Sequence, residues 1–137
     1  MALITTKGIY GIIAMYELSK QSDKGSIQIK TISQKTSIPS SYLEQLLNTL
    51  KKAGFVESLR GAKGGYLLTQ KAENIRIYDI LVALEGKISF AEYSLDNKIF
   101  EIFSRDIDKK IEEILDTNLS ELQKYEDILN NCFTYVI

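Results

Sequence analysis

Side chains able to read DNA bases are concentrated between residues 40 and 51 of this 137-residue chain. Leucines spaced three and four residues apart over about 40–53 predict an amphipathic helix with a polar outward face. The candidate DNA-contacting residues on this helix are Ser40, Ser41, Tyr42, Glu44, Gln45, Asn48 and Lys51. Gln can bond adenine twice, Glu can accept from cytosine, and Ser, Tyr or Lys can contact phosphates. A capped surface helix that does not bind DNA has the same spacing of leucines, so the pattern alone leaves both interpretations open.

A second group of candidates surrounds a glycine-rich turn. The segment 60–65, RGAKGG, lies between two β-like runs at 55–59 and 66–69, which predicts a hairpin. The candidate DNA-contacting residues of this turn are Arg60, Gly61, Lys63 and Gly64. Glycines let the backbone approach a phosphate, and the basic side chains can reach the minor groove or the sugar-phosphate edge. The turn is interpreted as the wing of a DNA-binding domain, although a plain tight hairpin has the same pattern.

Few residues could support catalysis or bind a metal. The sequence has no His and one Cys, so the commonest general base is missing and no disulfide framework or four-cysteine zinc site can form. We therefore expect no catalytic residue, no metal ligand, no cofactor and no enzymatic activity. Cys132 is followed by apolar residues and lacks an adjacent basic residue that could activate it. It is interpreted as a small core or interface residue.

The net charge of −1 conceals a strong asymmetry between the two halves of the chain. Residues 1–71 contain ten basic and four acidic residues, a net charge of +6, whereas residues 72–137 contain seven and fourteen, a net charge of −7. The basic half would attract DNA phosphates, and the acidic half would disfavour an orientation in which it faces the DNA. A chance separation of surface charges along the chain would give the same asymmetry. No apolar run approaches the roughly 20 residues of a membrane span, and no signal peptide is recognisable. We expect a cytoplasmic protein without membrane contact.

The spacing of apolar and turn residues predicts a mainly α fold with a small β-hairpin. The predicted helices cover about 5–20, 30–36, 40–53, 77–85, 95–116 and 119–130, and an extended stretch covers 27–29. The first helix is expected to bury Ile9, Ile12, Ile13, Tyr16 and Leu18. Side-chain caps are expected at Thr5 or Thr6, at Ser41 with Glu44, and at Asn118 with Glu121.

The order helix, short helix, tight turn, helix and hairpin is that of a winged helix-turn-helix, which presents one helix to the major groove. The later 95–116 helix carries an apolar stripe that a chain this short can hardly cover by itself. The candidate dimerisation residues on this stripe are Ile99, Phe103, Ile107 and Ile111. A partner helix would cover them, and packing within one protomer is the alternative. Two-fold pairing would suit an inverted-repeat operator in double-stranded DNA.

Several motifs together resemble the Rrf2 family of bacterial regulators. They are YLEQLL at 42–47, LKKAGFV at 50–56, RGAKGGY at 60–66, the opening TKGIYG at 6–11 and the segment IYDILVALEG at 77–86. The resemblance is close over about 1–86 and extends to the rest only in layout. It implies a dimeric winged helix-turn-helix over 1–86, a long dimerisation helix with a C-terminal helix over 87–137, and palindromic operators. It also implies DNA contacts by the recognition helix and the wing.

The chain departs from part of that family in one respect. Iron–sulfur members carry three cysteines between the helix after the wing and the dimerisation helix, and the stretch 87–105 here has none. Thiolates hold such clusters, so a conventional cluster site is not expected. We therefore predict a DNA-binding transcriptional regulator, acting as a repressor, that binds a palindromic operator as a homodimer. The alternative is a winged-helix protein that regulates a protein partner without DNA.

Overall fold

The computed structural model describes residues 1–21, 24–92 and 96–136, with side chains up to Cys132. Its elements are α1 (Thr6–Lys20), α2 (Ile29–Thr36), α3 (Ser40–Lys52), β1 (Val56–Leu59), β2 (Gly65–Leu68), α4 (Ile77–Glu85), α5 (Lys98–Ile114) and α6 (Leu122–Val136). Short 3₁₀ turns at Ala72–Asn74 and Leu119–Glu121 precede α4 and α6. The predicted fold class, mainly α with one small hairpin, is confirmed. Of the predicted extended stretch 27–29, only Ile27 forms a β-bridge, because α2 already begins at Ile29.

The core lies between α1, α3 and α4. Helix α3 contributes the leucine stripe that its spacing predicts, and the four side chains are at most 1% exposed: Leu43, Leu46, Leu47 and Leu50. Helix α4 contributes Ile80 and Leu81, which are at most 1% exposed. Burial of a leucine side chain stabilises the fold by about 1.5–3 kcal/mol. This packing therefore fixes the rotation of α3 about its own axis.

The predicted buried face of α1 is wrong at Ile9 and Ile13, whereas Leu18 is buried as predicted. Ile9 and Ile13 are 48% and 37% exposed, and Ile12 and Tyr16 are only partly buried. The buried face consists mainly of small residues: Gly8, Gly11, Ala14, Met15 and Leu18. A Cβ atom on Gly11 would lie 2.0 Å from Leu84 Cδ1, so glycine is what allows α1 and α4 to approach so closely. The spacing of large apolar side chains does not identify a helix face that is buried through glycine and alanine.

The hairpin is antiparallel, with Val56 opposite Leu68 and Leu59 opposite Gly65. Ile27 adds one more bridge beside β2, since its N–H and C=O both bond Tyr66, at 2.9 and 2.8 Å. Gly65 has φ +148°, and a Cβ atom there would lie 2.4 Å from the Ile27 carbonyl oxygen. The last glycine of the turn is thus required by the close approach of the segment before α2.

Two of the three predicted helix caps are wrong. Pro39 is the N-cap of α3 and makes no side-chain cap bond, because Ser40 and Ser41 already lie inside the helix. Thr5 is the N-cap of α1, but its hydroxyl donates to the Glu85 carboxylate instead of capping. Asn118 does cap, since its side chain accepts a hydrogen bond from Ser120 N at 3.0 Å. The Glu121 half of the predicted capping box is wrong, because in the described ranges its side chain forms no hydrogen bond back to Asn118.

Helix α5 lies on the outside of the molecule and has no buried residue. Its C-terminal end is joined to the start of α4 by backbone hydrogen bonds. Ile77 N donates to Thr117 O and Leu119 N donates to Ile75 O, each at 2.8 Å. Leu119 is fully buried, so the chain after α5 returns to the core that α1, α3 and α4 form.

Helix α6 is held against α1 by polar contacts. The Tyr16 hydroxyl donates to the Glu126 carboxylate, and Lys20 Nζ lies 3.3 Å from Glu126 Oε1. Burial, reinforced by this hydrogen bond, raises the pKa of Tyr16, while the same bond lowers the pKa of Glu126. The hydroxyl therefore stays a donor and the carboxylate stays ionised at neutral pH. Cys132 on α6 is exposed, so the prediction of a core position is wrong.

Replacing Gly11 by Ala should lower the free energy of unfolding by about 1–3 kcal/mol, the usual cost of overpacking. An unstrained Gly-to-Ala change inside a helix would instead stabilise it by about 1 kcal/mol. Urea unfolding followed by circular dichroism measures the difference. The matched control is the same change in a Leu84→Ala background, where the overlapping methyl group is absent and the cost should disappear. A stabilised Gly11→Ala protein would contradict the close α1–α4 contact.

Candidate nucleic-acid interface

The turn between α2 and α3 holds these two helices as a helix-turn-helix. Ser37 has φ +63°, which ends α2 in a left-handed conformation, and Ile38 is 2% exposed in the core. Ser33 Oγ donates to the Ile38 carbonyl at 2.6 Å, and the Ile38 N–H donates to Thr36 Oγ1 at 3.3 Å. The turn is therefore fixed both by apolar burial and by side-chain hydrogen bonds. It leaves α3 displayed on the surface with one face free.

That free face of α3 carries the predicted recognition side chains. Six of the predicted residues are exposed: Ser40, Ser41, Glu44, Gln45, Asn48 and Lys51. Four of these, Ser41, Glu44, Gln45 and Asn48, line one open depression together with Tyr66 of β2. Within the described ranges, none of the four side chains forms a hydrogen bond with the protein. Their donors and acceptors are therefore available to base edges or phosphates.

Tyr42 and Lys51 differ from the other predicted α3 residues. Tyr42 is only partly exposed, and its ring packs edge-on against Tyr10 of α1 with centroids 5.6 Å apart. Lys51 Nζ donates to Ser58 Oγ of β1 at 2.7 Å. Tyr42 thus helps to join α1 to α3, and Lys51 joins the end of α3 to the hairpin.

The hairpin turn has a compact shape that glycines make possible. Gly61 has φ +103°, and Gly64 N donates to the Gly61 carbonyl at 2.9 Å. A Cβ atom on Gly64 would lie 2.7 Å from the Leu59 carbonyl oxygen, so a larger residue would deform the turn. Arg60 and Lys63 are exposed on this turn. The four predicted wing residues therefore form one turn at the end of the hairpin, whose strand β1 contacts the end of α3 through Ser58 and Lys51.

Two residues of this surface were missed by the sequence analysis. Tyr66 lies beside the polar face of α3, and Ser26 Oγ donates to the Lys63 carbonyl at 2.5 Å, which ties the wing to the segment before α2. The sequence offers no clear signal for either contact. The face to which Tyr66 points depends on the hairpin register, which a six-residue glycine-rich turn does not determine.

The charge of this surface is not neutralised internally. In the part of the chain that the structure describes, Lys20 is the one basic residue among the first 71 that forms an ion pair with a carboxylate. Lys51, Arg60 and Lys63 thus keep their full charge toward solvent. Such a surface attracts the phosphate backbone.

Comparison with known proteins identifies the family. Residues 4–131 match the model described as Rrf2, Iron-dependent Transcriptional regulator. The chain belongs to the Rrf2 family. It is 39% identical over 137 residues to the HTH-type transcriptional regulator CymR of Bacillus subtilis, covering 98% of this chain and 99% of that one. It is also 32% identical to the HTH-type transcriptional regulator IscR of Sodalis glossinidius over 135 residues, which cover 93% and 82% of the two chains.

Solved structures of the Rrf2 family share this fold. The structure of CymR, the global cysteine regulator of B. subtilis, superposes with a TM-score of 0.81 at 40% identity and covers 91% of this chain and 98% of that one. IscR of T. potens gives a TM-score of 0.76 at 35% identity, with 90% and 87% covered. The predicted winged helix-turn-helix is therefore confirmed. This Rrf2 protein is a DNA-binding transcriptional regulator and not an enzyme.

No helix in the described ranges is both long and apolar enough to cross a membrane.

The residues of this chain do not fit the iron–sulfur cluster that some Rrf2 proteins hold. The described parts of the 87–105 stretch contain no thiol, and Phe90, Phe100 and Phe103 form an aromatic cluster there, with centroids 5.7–6.3 Å apart. Across the described residues, no three His, Cys, Asp or Glu side chains are grouped closely enough to hold a metal. The single Cys132 cannot replace three thiolate ligands.

The purified protein should therefore be colourless, and an iron chelator should leave its affinity for DNA unchanged. Visible absorption, iron and sulfide analysis, and DNA titration before and after chelation measure this. The matched control is Cys132→Ser, which should behave as the parent protein does. A brown preparation whose absorption tracked DNA affinity would contradict the prediction.

Proposed function

We propose that this Rrf2 protein represses transcription by binding an inverted-repeat operator as a homodimer. Helix α3 would read bases in the major groove, and the wing would contact the phosphate backbone or the minor groove. Segment 1–86 would supply the DNA contacts, and segment 87–137 would supply the pairing. Since the target is chromosomal DNA, we expect the protein in the cytoplasm.

The observation that carries the DNA-reading part of the proposal is the shared position of α3 and the wing. Ser41, Glu44, Gln45 and Asn48 face solvent together and have no protein partners within the described ranges, beside a wing whose cations are unpaired. The major groove accepts one α-helix, and its base edges differ for each base pair. Of the three other predicted contacts on α3, Tyr42 and Lys51 already have intramolecular roles and are expected to contribute less, whereas Ser40 is exposed at the start of the helix.

Pairing is supported by the apolar surface that α5 leaves uncovered. Ile99 is 82% exposed and Phe103 is 49% exposed, and Ile114, which the sequence analysis did not select, is 77% exposed. Ile107 is partly buried, and Ile111 packs against the core of its own protomer. Ile102 is 69% exposed as well, so the exposed apolar surface of α5 lies mainly over Ile99, Ile102, Phe103 and Ile114. A second copy of α5 would remove this surface from water and set two recognition helices about one DNA turn apart.

The DNA-reading proposal predicts two kinds of mutant. Arg60→Ala or Lys63→Ala should weaken binding to every duplex alike and reduce the slope of log affinity against log salt by about 1. Gln45→Ala should instead change the preference at one base pair by about 1–3 kcal/mol. The measurement is fluorescence anisotropy with inverted-repeat duplexes that the parent protein selects from random DNA.

Lys109→Ala, which removes the same charge from α5, is the matched control and should leave the salt slope unchanged. Affinity that did not depend on salt, or a Gln45→Ala protein with unaltered base preference, would contradict the proposed interface. A protein that selected no duplex but bound another protein would instead favour the protein-partner alternative.

The pairing proposal predicts that Ile99→Glu with Ile114→Glu gives a folded monomer with weakened operator binding. Both side chains are highly exposed in the single protomer, so the change should leave its core intact. In a dimer, each would lose about 1.5–3 kcal/mol of burial. Analytical ultracentrifugation and DNA titration on the same protein measure both effects.

Arg105→Gln with Lys109→Gln changes the net charge of α5 by the same amount without touching the apolar stripe, and it should remain dimeric. A dimeric glutamate variant with parental affinity would show that α5 is not the pairing surface.

A further inference from the structure

Arg76 lies where the DNA-binding half meets α5. It precedes α4, and its guanidinium nitrogens lie 3.1 Å from Asp79 Oδ1, 3.1 Å from Glu112 Oε1 and 3.4 Å from Asp116 Oδ1. Asp79 belongs to α4, whereas Glu112 lies in α5 and Asp116 directly after it. Arg76 also stacks over the Tyr78 ring, with 4.9 Å between Cζ and the ring centroid. One side chain therefore connects two elements through three carboxylates.

The attachment of α5 to the rest of the protomer is otherwise sparse. Its C-terminal end is joined by the backbone hydrogen bonds of Ile77 and Leu119 described above. Further toward its N-terminus, Asp108 Oδ1 accepts from Phe90 N at 2.6 Å, and Phe90 packs on Phe100 and Phe103. No residue of α5 is fully buried, and Ile111, near its C-terminal end, is the residue of the helix that packs against the core. Core packing therefore does little to fix the angle of the rest of the helix. The backbone bonds act as a pivot, and side chains beside the pivot restrain the rotation.

Loss of the guanidinium would do more than remove attraction. Asp79, Glu112 and Asp116 each have an oxygen within 3.4 Å of the guanidinium, so without this cation the three like charges would repel one another. Repulsion would push the end of α5 away from α4. A lysine would retain the charge, but it lacks the planar fork that bonds several carboxylates at once.

We propose that Arg76 is a positioning residue that sets the angle of α5 on the DNA-binding half, and through it the separation of the two recognition helices in the dimer. This inference rests on the proposed dimer. Arg76 itself is surrounded by carboxylates, which disfavour a neighbouring phosphate, so it is not a DNA-contacting residue. It acts on the operator through the geometry of α5.

The first measurement is the distance between the two α3 helices. A parent protein carrying Cys132→Ser and Lys52→Cys is spin-labelled on α3, and pulsed dipolar spectroscopy gives the distance distribution in the dimer. The parent should give a narrow distribution. Arg76→Gln should give a broadened or displaced one, and Arg76→Lys an intermediate one. Arg105→Gln on the outer face of α5, the matched control, should give the parental result.

The second measurement compares a selected inverted-repeat duplex with a duplex containing one half-site. Arg76→Gln should weaken binding to the inverted repeat by about 5- to 150-fold, the usual range for coupling between sites. Its affinity for the single half-site should not change, because the recognition surface of each protomer is intact. A general structural defect would weaken both, and urea unfolding of Arg76→Gln and Arg76→Lys reveals such a defect.

The outcomes separate this inference from the proposed function. A monomeric parent protein would contradict the dimer, and the role of Arg76 with it. A dimeric Arg76→Gln protein with the parental distance distribution and parental affinity for the inverted repeat would overturn the role of Arg76 alone and leave the dimer standing.

Discussion

The burial of one leucine stripe on α3 is the constraint on which the recognition surface depends. Leu43, Leu46, Leu47 and Leu50 can leave water only in one rotation of the helix, and that rotation turns Gln45 and its polar neighbours outward. No further contact is needed to orient the polar face of α3, because the packing of its leucines in the core already determines which way that face points. Loss of this packing would remove the DNA-reading geometry even with every contacting side chain present.

The remaining elements place this helix relative to its surroundings. Gly11 brings α1 close to α4, and α4 supports α3 from the other side of the core. Gly65 allows Ile27 to pair with Tyr66, which ties the wing to the segment before α2. Arg76 joins α4 to α5 at the edge of the molecule. These contacts depend on small residues or on one charged side chain. Each sets the relative position of two elements and buries little surface.

Much of the fold could be predicted from the sequence, because its signals are local. The leucine spacing of α3, the glycine at the end of α4 and the alternation around the three-glycine turn each specify an element within a few residues. The polar face of α3 follows directly from its apolar stripe. The order of the motifs was enough to indicate the family that the comparisons show.

The features that could not be predicted depend on contacts between distant segments. Ile9 and Ile13 have the spacing of a core face, but the close approach of α1 to α4 requires glycine and therefore buries another face. Ser41 and Glu44 have the spacing of a capping box, but the N-cap of the helix is Pro39, two residues before Ser41. The position of Tyr66 and the carboxylates around Arg76 depend on hairpin register and on the return of the chain after α5, which no local pattern encodes.

The most direct test of the central claim, that two protomers read DNA through α3 and the wing, is a hydroxyl-radical footprint on a duplex selected by the protein. The account predicts two protected regions on one face of the helix, related by two-fold symmetry and about 10 base pairs apart. A single asymmetric protected region, or uniform protection along the duplex, would contradict it.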